Sequence, residues 1–509
     1  MPQLSNGLNA MEEDFIHIPE SASYPTGSLD FLVKLQKEEE KRQKAMRASS
    51  SVNGEDLSRL KLDIIIVGAG LGGLAAAIAL ARRGHKVTVF EQAPALGEVG
   101  AGIQIPSNST RLLIKWGLEP FLEGKIVKPG NIAFRRWEDG KTIGLTKLIP
   151  QFEREFDAPY YVVHRAHFHD AMYQLALQLG IAVKINSKVL DYDEDAPSIM
   201  LENGESYSAD LIIASDGEWV ELQYPLRTVR QLTAKGVKSY ARTKVLGGVD
   251  QAPRKTGFAA YRATVDVEKM KAYPETAEVC AKPNLNLWIG DLRHVMTYMI
   301  AGGKSFNMVL SHPDRSDPST WSSQTPEKIL SGMREEFKSW DPTLTKIIDM
   351  IDTTMKWPLM SGSPLTRWVS TSGKLLIMGD AAHAMVPYMS QGAAMAVEDG
   401  AALAEALHQV EDRSDLPRAL RVWEAVRKDR ADKMQEASLI NGKLWHFADG
   451  PLQQARDEAM RPEVEGREFV TSPNQWSDPT TQRWTYGYDA EWEVKKAFAG
   501  KKSSSVNGH

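Results

Sequence analysis

The sequence predicts an α/β protein with three parts: a Rossmann-like dinucleotide-binding domain, an interleaved mixed β-sheet substrate domain, and a helical C-terminal part. Three observations carry that expectation. A β-branched run ends in a glycine-rich turn at Gly68, a second apolar run ends in Gly379-Asp380, and apolar residues recur at helical spacing from Glu398 onward. The 509 residues suffice for two or three domains, and 42% hydrophobic with 25% charged residues is ordinary for a globular enzyme.

Residues 1–60 read as an N-terminal extension and linker, with a charged helix over Phe31–Ala45 and a loop through Ser49-Ser50-Ser51 and Asn53-Gly54. Leu62–Val67 reads as a strand rich in β-branched residues, followed by a helix from about Gly72 to Arg83 that Gly84 ends. Lys86–Phe90 is the next strand, and the resulting βαβ unit implies a parallel sheet. The first part of the dinucleotide-binding domain spans 61–245 and the substrate-domain sheet 246–365, where Val295–Ile300 and Phe306–Leu310 look like antiparallel strands. The first domain resumes with helices over 366–445, and 446–509 form a C-terminal extension.

Composition narrows the function. A formal net charge of -5 gives no basic surface, so a nucleic acid is not an expected partner. Cys280 is the single cysteine, which rules out an intrachain disulfide and a cysteine metal cluster. That usage fits a reducing compartment, and the expectation is a cytoplasmic monomer or homodimer. No run of about 18 apolar residues is present, so no membrane span is expected. His164, His167 and His169 crowd one stretch without a carboxylate pattern, and no metal site is expected.

Gly68-Ala69-Gly70-Leu71-Gly72-Gly73 has the G-x-G-x-x-G spacing after a strand and before a helix. Gly68 permits the turn, Gly70 lets backbone approach a pyrophosphate, and Gly73 lets helix and strand pack closely. The helix start at Leu71 offers free N–H groups to phosphate. Glu91, followed by Gln92, ends the second strand 18 residues beyond Gly73, where a carboxylate can accept hydrogen bonds from a ribose. The pattern alone does not separate FAD from NAD.

Lys374–Met378 reads as a strand running into Gly379-Asp380-Ala381-Ala382-His383, with Pro387, Gln391-Gly392 and Glu398-Asp399 following into a helix. This block resembles the second FAD motif of the group A aromatic hydroxylases, with salicylate hydroxylase and its fungal relatives the nearest family. The resemblance runs from about 62 to 490. Asp210–Gly217 is similar to the Asp-Gly motif that the family shares between FAD and NAD(P)H, Tyr261-Arg262-Ala263 to the block before the substrate sheet, and His446–Gly450 to a late block of the fungal members.

The resemblance implies a glutathione-reductase-type, p-hydroxybenzoate-hydroxylase-like fold, FAD as cofactor, NADH or NADPH as co-substrate, and O2 with a small aromatic molecule as the reacting partners. It places Asp380 and Ala381 at the ribityl chain, Pro387 by the isoalloxazine, and the Gln391-Gly392 helix start at its pyrimidine side. It also implies that Arg165, Gly102, Asp216 and Gly217 bind the cofactor. The implied reaction is hydroxylation of a salicylate-like phenol or aromatic acid through a C4a-hydroperoxyflavin. Epoxidation or dearomatising hydroxylation of a secondary metabolite is the alternative.

A phenol reacts far better as phenolate, so the site needs a cation or a base. Arg262 is a permanent cation able to hold a phenolate or carboxylate. His294 and Tyr298 stand four apart in a strand and so share one face, His294 to take a proton and Tyr298 to orient the ring. His383 is expected to hydrogen-bond locally within the FAD turn, and Trp340, Trp357 and Trp368 to serve as packing.

The chain departs from the family pattern at one place. Asp216-Gly217 should run directly into a Ser-x-x-Arg segment, yet that continuation appears only at Gly236–Arg242. The 19 residues from Gly217 to Lys235 read as an insert, either a translated intron or a surface loop. Gly217-Glu218-Trp219 can be encoded with an embedded GTGAGT donor, Leu232-Thr233 with a CTGAC branch-like sequence, and Lys235 with a closing AG. If the protein carries the insert, the displaced turn is expected to weaken FAD binding or reduction with the fold intact, and an inactive flavoprotein is the further alternative.

Overall fold

The computed structural model describes residues 57–96, 101–217, 239–249, 251, 253–317, 320–321 and 324–506. Residues 1–56 of the expected extension, its charged helix included, and residues 218–235 of the expected insert lie outside the described residues.

The glycine-rich turn sits where the sequence predicts, between β1 (Asp63–Val67) and the helix Leu71–Arg82. β1 lies at the centre of a five-stranded parallel sheet. On one side it pairs with β2 (Lys86–Phe90), then β8 (Ala182–Lys184); on the other with β12 (Leu211–Ala214), then β18 (Leu375–Ile377). Ile64–Val67 and all of β12 are buried, as expected for parallel strands covered on both faces.

The helix Gly392–His408 packs in parallel along Leu71–Arg82. A Cβ on Gly72 would lie 3.2 Å from the Ala396 Cβ, and one on Gly400 would lie 2.8 Å from the Ala76 nitrogen. Both helices therefore start at the same end of the sheet.

The substrate-domain sheet has seven strands, in the order β17 (Met355–Ser361), β13 (Arg254–Asp266), β16 (Ser305–Pro313), β15 (Arg293–Ile300), β14 (Leu285–Gly290), β5 (Asn131–Arg136) and β6 (Thr142–Lys147). It is antiparallel except where β14 meets β5. Alternate residues point to opposite faces. Trp288, Val295, Phe306 and Leu310 pack against Ile329, Met333, Phe337 and Leu344 of the helices Pro326–Phe337 and Pro342–Asp349. The other face looks toward the dinucleotide-binding domain. Trp340 lies in the first of these cores and Trp368 is fully buried in the second.

A small sheet, β3 (Gly102–Ile105), β7 (Tyr161–His164) and β4 (Ile126–Val127), joins the two parts, and β9 (Val189–Asp193), β10 (Ser198–Leu201) and β11 (Ser206–Ser208) form a meander. From Gly392 on, the chain is helical: Gly392–His408, Leu416–Trp445, Pro451–Glu465, Pro479–Tyr486 and Ala490–Val506. This last part covers the exposed edge of the large sheet. Glu463 accepts the Leu145 N–H of β6 at 2.8 Å, and Trp445 and Trp476 pack edge-on against Phe134 of β5. Among the described residues no helix is long and apolar enough to cross a membrane, and no cluster of histidine, cysteine and carboxylate side chains could hold a metal.

Candidate active site

Two glycine turns meet at Ser215, and the turn that follows the second of them packs on one face of the large sheet. At the first turn, Gly68 has φ +101°, and a Cβ there would lie 2.4 Å from the Ser215 carbonyl oxygen. A Cβ on Gly73 would lie 2.0 Å from the Gly68 oxygen, so this residue closes the strand-to-helix contact. Gly70 is different: a Cβ there meets nothing within 4 Å. Gly70 is also the N-cap, with no side chain capping the helix that Leu71 opens. Open space over uncapped N–H groups is what an anionic pyrophosphate requires.

Glu91 holds this turn in place. Its Oε2 accepts the Ala69 N–H and its Oε1 the Ala93 N–H, both at 2.8 Å, while His169 Nε2 lies 2.7 Å from the Ala69 oxygen. The carboxylate keeps lone pairs for a ribose beyond these two bonds. Its neighbour Gln92 is exposed.

The second turn follows β18. Asp380 is exposed, whereas Ala381, Ala382 and His383 are buried. Asp399 fastens both ends: its Oδ2 accepts the Gly379 N–H at 3.1 Å and lies 2.6 Å from His383 Nε2. Behind it, Arg427 donates to Asp399 Oδ1 at 2.9 Å and to Glu398 Oε2 at 2.7 Å, and Arg430 donates to Glu398 Oε1 at 3.2 Å. Asn108 ties Glu398 to Gln391 at 2.6 and 2.9 Å. The Gln391 side chain is thus a buried brace, and the helix start at Gly392 is what stays open, with nothing within 4 Å of a Cβ. Burial opposes the Asp399 charge, yet His383 and Arg427 push this carboxyl down to about 2.

Asp216-Gly217 lies between the turns, since Cβ atoms on Gly72 and Gly379 would sit 2.9 and 3.5 Å from Ser215 Oγ and one on Gly217 3.9 Å from the Asp380 Cβ. Asp216 accepts hydrogen bonds from Tyr192 (3.3 Å) and Ser239 (3.0 Å), and burial pushes its carboxyl up. Ser239 also caps the helix Tyr240–Val245 by accepting the Arg242 N–H at 3.0 Å. The Ser-x-x-Arg segment therefore stands beside Asp216 despite the intervening residues.

The sheet face opposite these turns carries Arg262, His294 and Tyr298. Register shows why: Arg262 and Met296 both pair with Val309 of β16, His294 with Ser311 and Tyr298 with Asn307. The β3 strand meets the sheet here, as the Gly102 N–H donates to Asn307 Oδ1 at 2.6 Å and a Cβ on Gly102 would touch the Tyr298 ring at 2.5 Å. Arg165 opens the next helix with its N–H on the Ala101 oxygen at 2.9 Å. Exposed Pro387 starts the short turn Pro387–Met389, whose Tyr388 ring lies edge-on to His294 at 5.2 Å. The Arg262 guanidinium lies over Trp357 at 5.8 Å. Burial holds the Tyr298 phenol well above its ordinary pKa and His294 well below its own.

Sequence reasoning missed His446 as a contact of His294, and it missed Arg427 and Arg430 entirely. A signal for the two arginines existed: they sit among Val422, Trp423, Ala431 and Met434 on the buried stripe of Leu416–Trp445, where an unpaired cation would be prohibitive.

The residues fit an FAD. Two helix starts without a side-chain cap and two open glycines, Gly70 and Gly392, lie at the same end of the parallel sheet, and Asp380 is exposed. The two motif glycines should separate under mutation. Gly70→Val should fold with an unchanged apo melting temperature while losing at least about tenfold in FAD affinity. Gly73→Ala should lower the melting temperature instead. Flavin fluorescence titration and thermal denaturation of both variants check this, and an unchanged FAD affinity in Gly70→Val would remove the pyrophosphate from that loop.

Comparison with known proteins agrees with this geometry. Residues 61–438 match the family described as FAD binding domain. The FAD-dependent monooxygenase OpS4 of Beauveria bassiana is 35% identical over 446 residues, covering 87% of this chain and 99% of that protein. The 3-hydroxybenzoate 6-hydroxylase 1 of Aquipseudomonas alcaligenes is 32% identical, with 85% and 99% covered. A salicylate hydroxylase substrate complex shares the fold with a TM-score of 0.65 at 23% identity, over 86% of this chain and 98% of that one. The chain belongs to this FAD-binding family and is a flavoprotein monooxygenase.

Proposed function

We propose that this monooxygenase hydroxylates a small phenol or aromatic hydroxy acid, with O2 as oxidant and NADH or NADPH as reductant. The observation that carries the reading is the single sheet face bearing Arg262, His294 and Tyr298 opposite the Pro387–Met389 turn. The relative named for 3-hydroxybenzoate supports it, because that ring carries both a hydroxyl and a carboxylate. The bound flavin, once reduced, supplies the oxygen-transfer chemistry.

In this reading Gly70 and Leu71 hold the pyrophosphate while Gly73 packs the helix on the strand turn, Glu91 holds the ribose, and Asp380 with Ala381 the ribityl chain. The Gln391-Gly392 helix start faces the pyrimidine edge, where its dipole favours negative charge. Arg165, Gly102 and Asp216-Gly217 line the cofactor from the domain junction, and Pro387 borders the ring system. Arg262 pairs with the substrate's carboxylate or phenolate. His294, neutral because it is buried, accepts the phenolic proton, and Tyr298 orients the ring.

Anaerobic spectra of the purified protein with NADH or NADPH and a panel of phenols test the assignment. The expected result is flavin bleaching that one phenol accelerates, followed by a hydroxylated product in air. Bleaching indifferent to every phenol, or peroxide as the sole product, would overturn it. His294→Phe should retain FAD and lower kcat/KM by about 10²–10⁴. The aromatic walls around His294 (Tyr388, Trp445 and Phe258 beside His446) favour a second reading, a flat secondary-metabolite ring that is dearomatised, and product mass spectrometry separates the two.

A further inference from the structure

His446 belongs to the C-terminal extension, yet it reaches the substrate sheet. His294 Nδ1 and His446 Nε2 are 2.7 Å apart. The ring centroids are only 5.0 Å apart and the planes differ by 19°, so both nitrogens lie on the line between two nearly coplanar rings. This is an in-line hydrogen bond, and the rings do not overlap face to face. The surroundings are aromatic: Phe258 lies parallel to His446 at 4.8 Å, Tyr388 stands edge-on to both imidazoles, and Trp445 edge-on to His294. The charged groups nearest the pair are on the His446 side, where Arg456, paired with Asp457, donates to the Leu444 oxygen at 2.8 Å.

We propose that His294 and His446 work as one two-station proton relay, in which His446 sets the tautomer of His294 and carries the substrate's phenolic proton out of the pocket. The inference rests on the reading that the substrate is a phenol. His446 touches no substrate; it is a positioning residue that acts through His294.

Two neutral imidazoles joined nitrogen to nitrogen share a single proton in that bond. In one state His294 donates from Nδ1, so its Nε2 is a base, and His446 accepts at Nε2 and carries its single proton on Nδ1. In the other state every proton has moved one place. Transfer of the phenolic proton to His294 Nε2 passes the Nδ1 proton to His446 Nε2 and releases the His446 Nδ1 proton to water. The products are a phenolate, two neutral imidazoles and a solvated proton, with no electron transferred. A lone histidine in this aromatic enclosure would have to hold an imidazolium, which burial strongly disfavours. The same burial keeps both rings neutral, His446 at about 3 with Arg456 adding to the effect.

The test uses the full-length FAD-loaded protein mixed with salicylate or 3-hydroxybenzoate and a pH-indicator dye in stopped flow. Wild type should release one proton per phenol ionised. His446→Phe should retain FAD and bind the phenol but release the proton at least tenfold more slowly. His446→Gln keeps an acceptor for the His294 Nδ1 proton without a path onward, so it should restore packing and leave release slow. Release at the wild-type rate in either variant overturns the relay. Imidazole ¹⁵N signals assigned to His294 and His446 by their loss in His294→Phe and His446→Phe should be those of neutral rings between pH 6 and 9, and an imidazolium signal at either position would overturn it. If wild type ionises no phenol, the substrate reading falls and the relay with it; ionisation by wild type with unaffected variants sinks the relay alone.

Discussion

Replacing Arg427 with methionine is expected to destabilise the fold by about 3–5 kcal/mol and to empty the protein of flavin. The reason lies in what the substitution leaves behind. Glu398 and Asp399 are fully buried neighbours, and Arg427 bonds to both carboxylates while itself excluded from solvent. Without it, Arg430 still faces Glu398, but Asp399 keeps only His383 and the Gly379 N–H. A loss of that size is a large part of the roughly 5–15 kcal/mol that holds a domain together. Asp399 also anchors the Gly379–His383 turn, so flavin release should accompany or precede unfolding. Urea midpoints with flavin content measure both effects. Arg413→Met, which removes an exposed pair with Asp210, is the control and should change stability by at most about 1 kcal/mol. Adding Asp399→Asn to Arg427→Met should recover part of the loss, because Glu398 keeps Arg430 and the amide at position 399 carries no charge that lacks a cation. A wild-type midpoint in Arg427→Met would show that the network has no net weight. The acid side follows from the same group. The Asp399 pKa is depressed, so its stabilisation is present above the ordinary carboxylate range and is lost as pH falls toward about 2.

What the sequence discloses depends on how far apart the interacting residues lie. The βαβ unit was legible because β-branched runs, a helical stretch and glycines at fixed spacing act within some thirty residues. The turn at Gly379 was legible through resemblance, and the helical end through apolar residues at helical spacing from Glu398 onward. The four-residue spacing placed His294 and Tyr298 on one face, but that Arg262 joins them depends on the register of β13 and β15 against β16, which no local pattern encodes. The parallel pairing of β5 with β14, which carries residues 131–147 into the large sheet, is long-range in the same way. The network joining Asn108 and Gln391 to Glu398, Arg427 and Arg430 spans some 320 residues of chain. Gln391 shows the limit of motif reasoning: placed at a cofactor by resemblance, its side chain is a buried brace, and the helix start that follows it is what stays open.

Excising residues 217–235, so that Asp216 is followed by Gly236, is expected to leave FAD binding intact and to raise stability by about 2 kcal/mol. The argument rests on the residues at the two ends. Asp216 and Ser239 are separated by 22 residues of sequence, yet their side chains are hydrogen-bonded at 3.0 Å, and Ser239 keeps its place as the cap of the helix Tyr240–Val245. An intervening stretch that starts and finishes at one hydrogen bond can be shortened without moving either anchor. Three residues would remain to make the connection, and cutting a loop from 22 to 3 residues is roughly three halvings, each about 0.6 kcal/mol of closure entropy. The intact pair also argues against a disabled turn: full-length protein should load flavin as well as the shortened form. Equal FAD affinity with a higher urea midpoint in the shortened form, together with a major transcript lacking the corresponding codons, is the result expected of a translated intron. A shortened protein that folds but no longer binds FAD or accepts electrons from NAD(P)H would mean that residues 217–235 belong to the working enzyme.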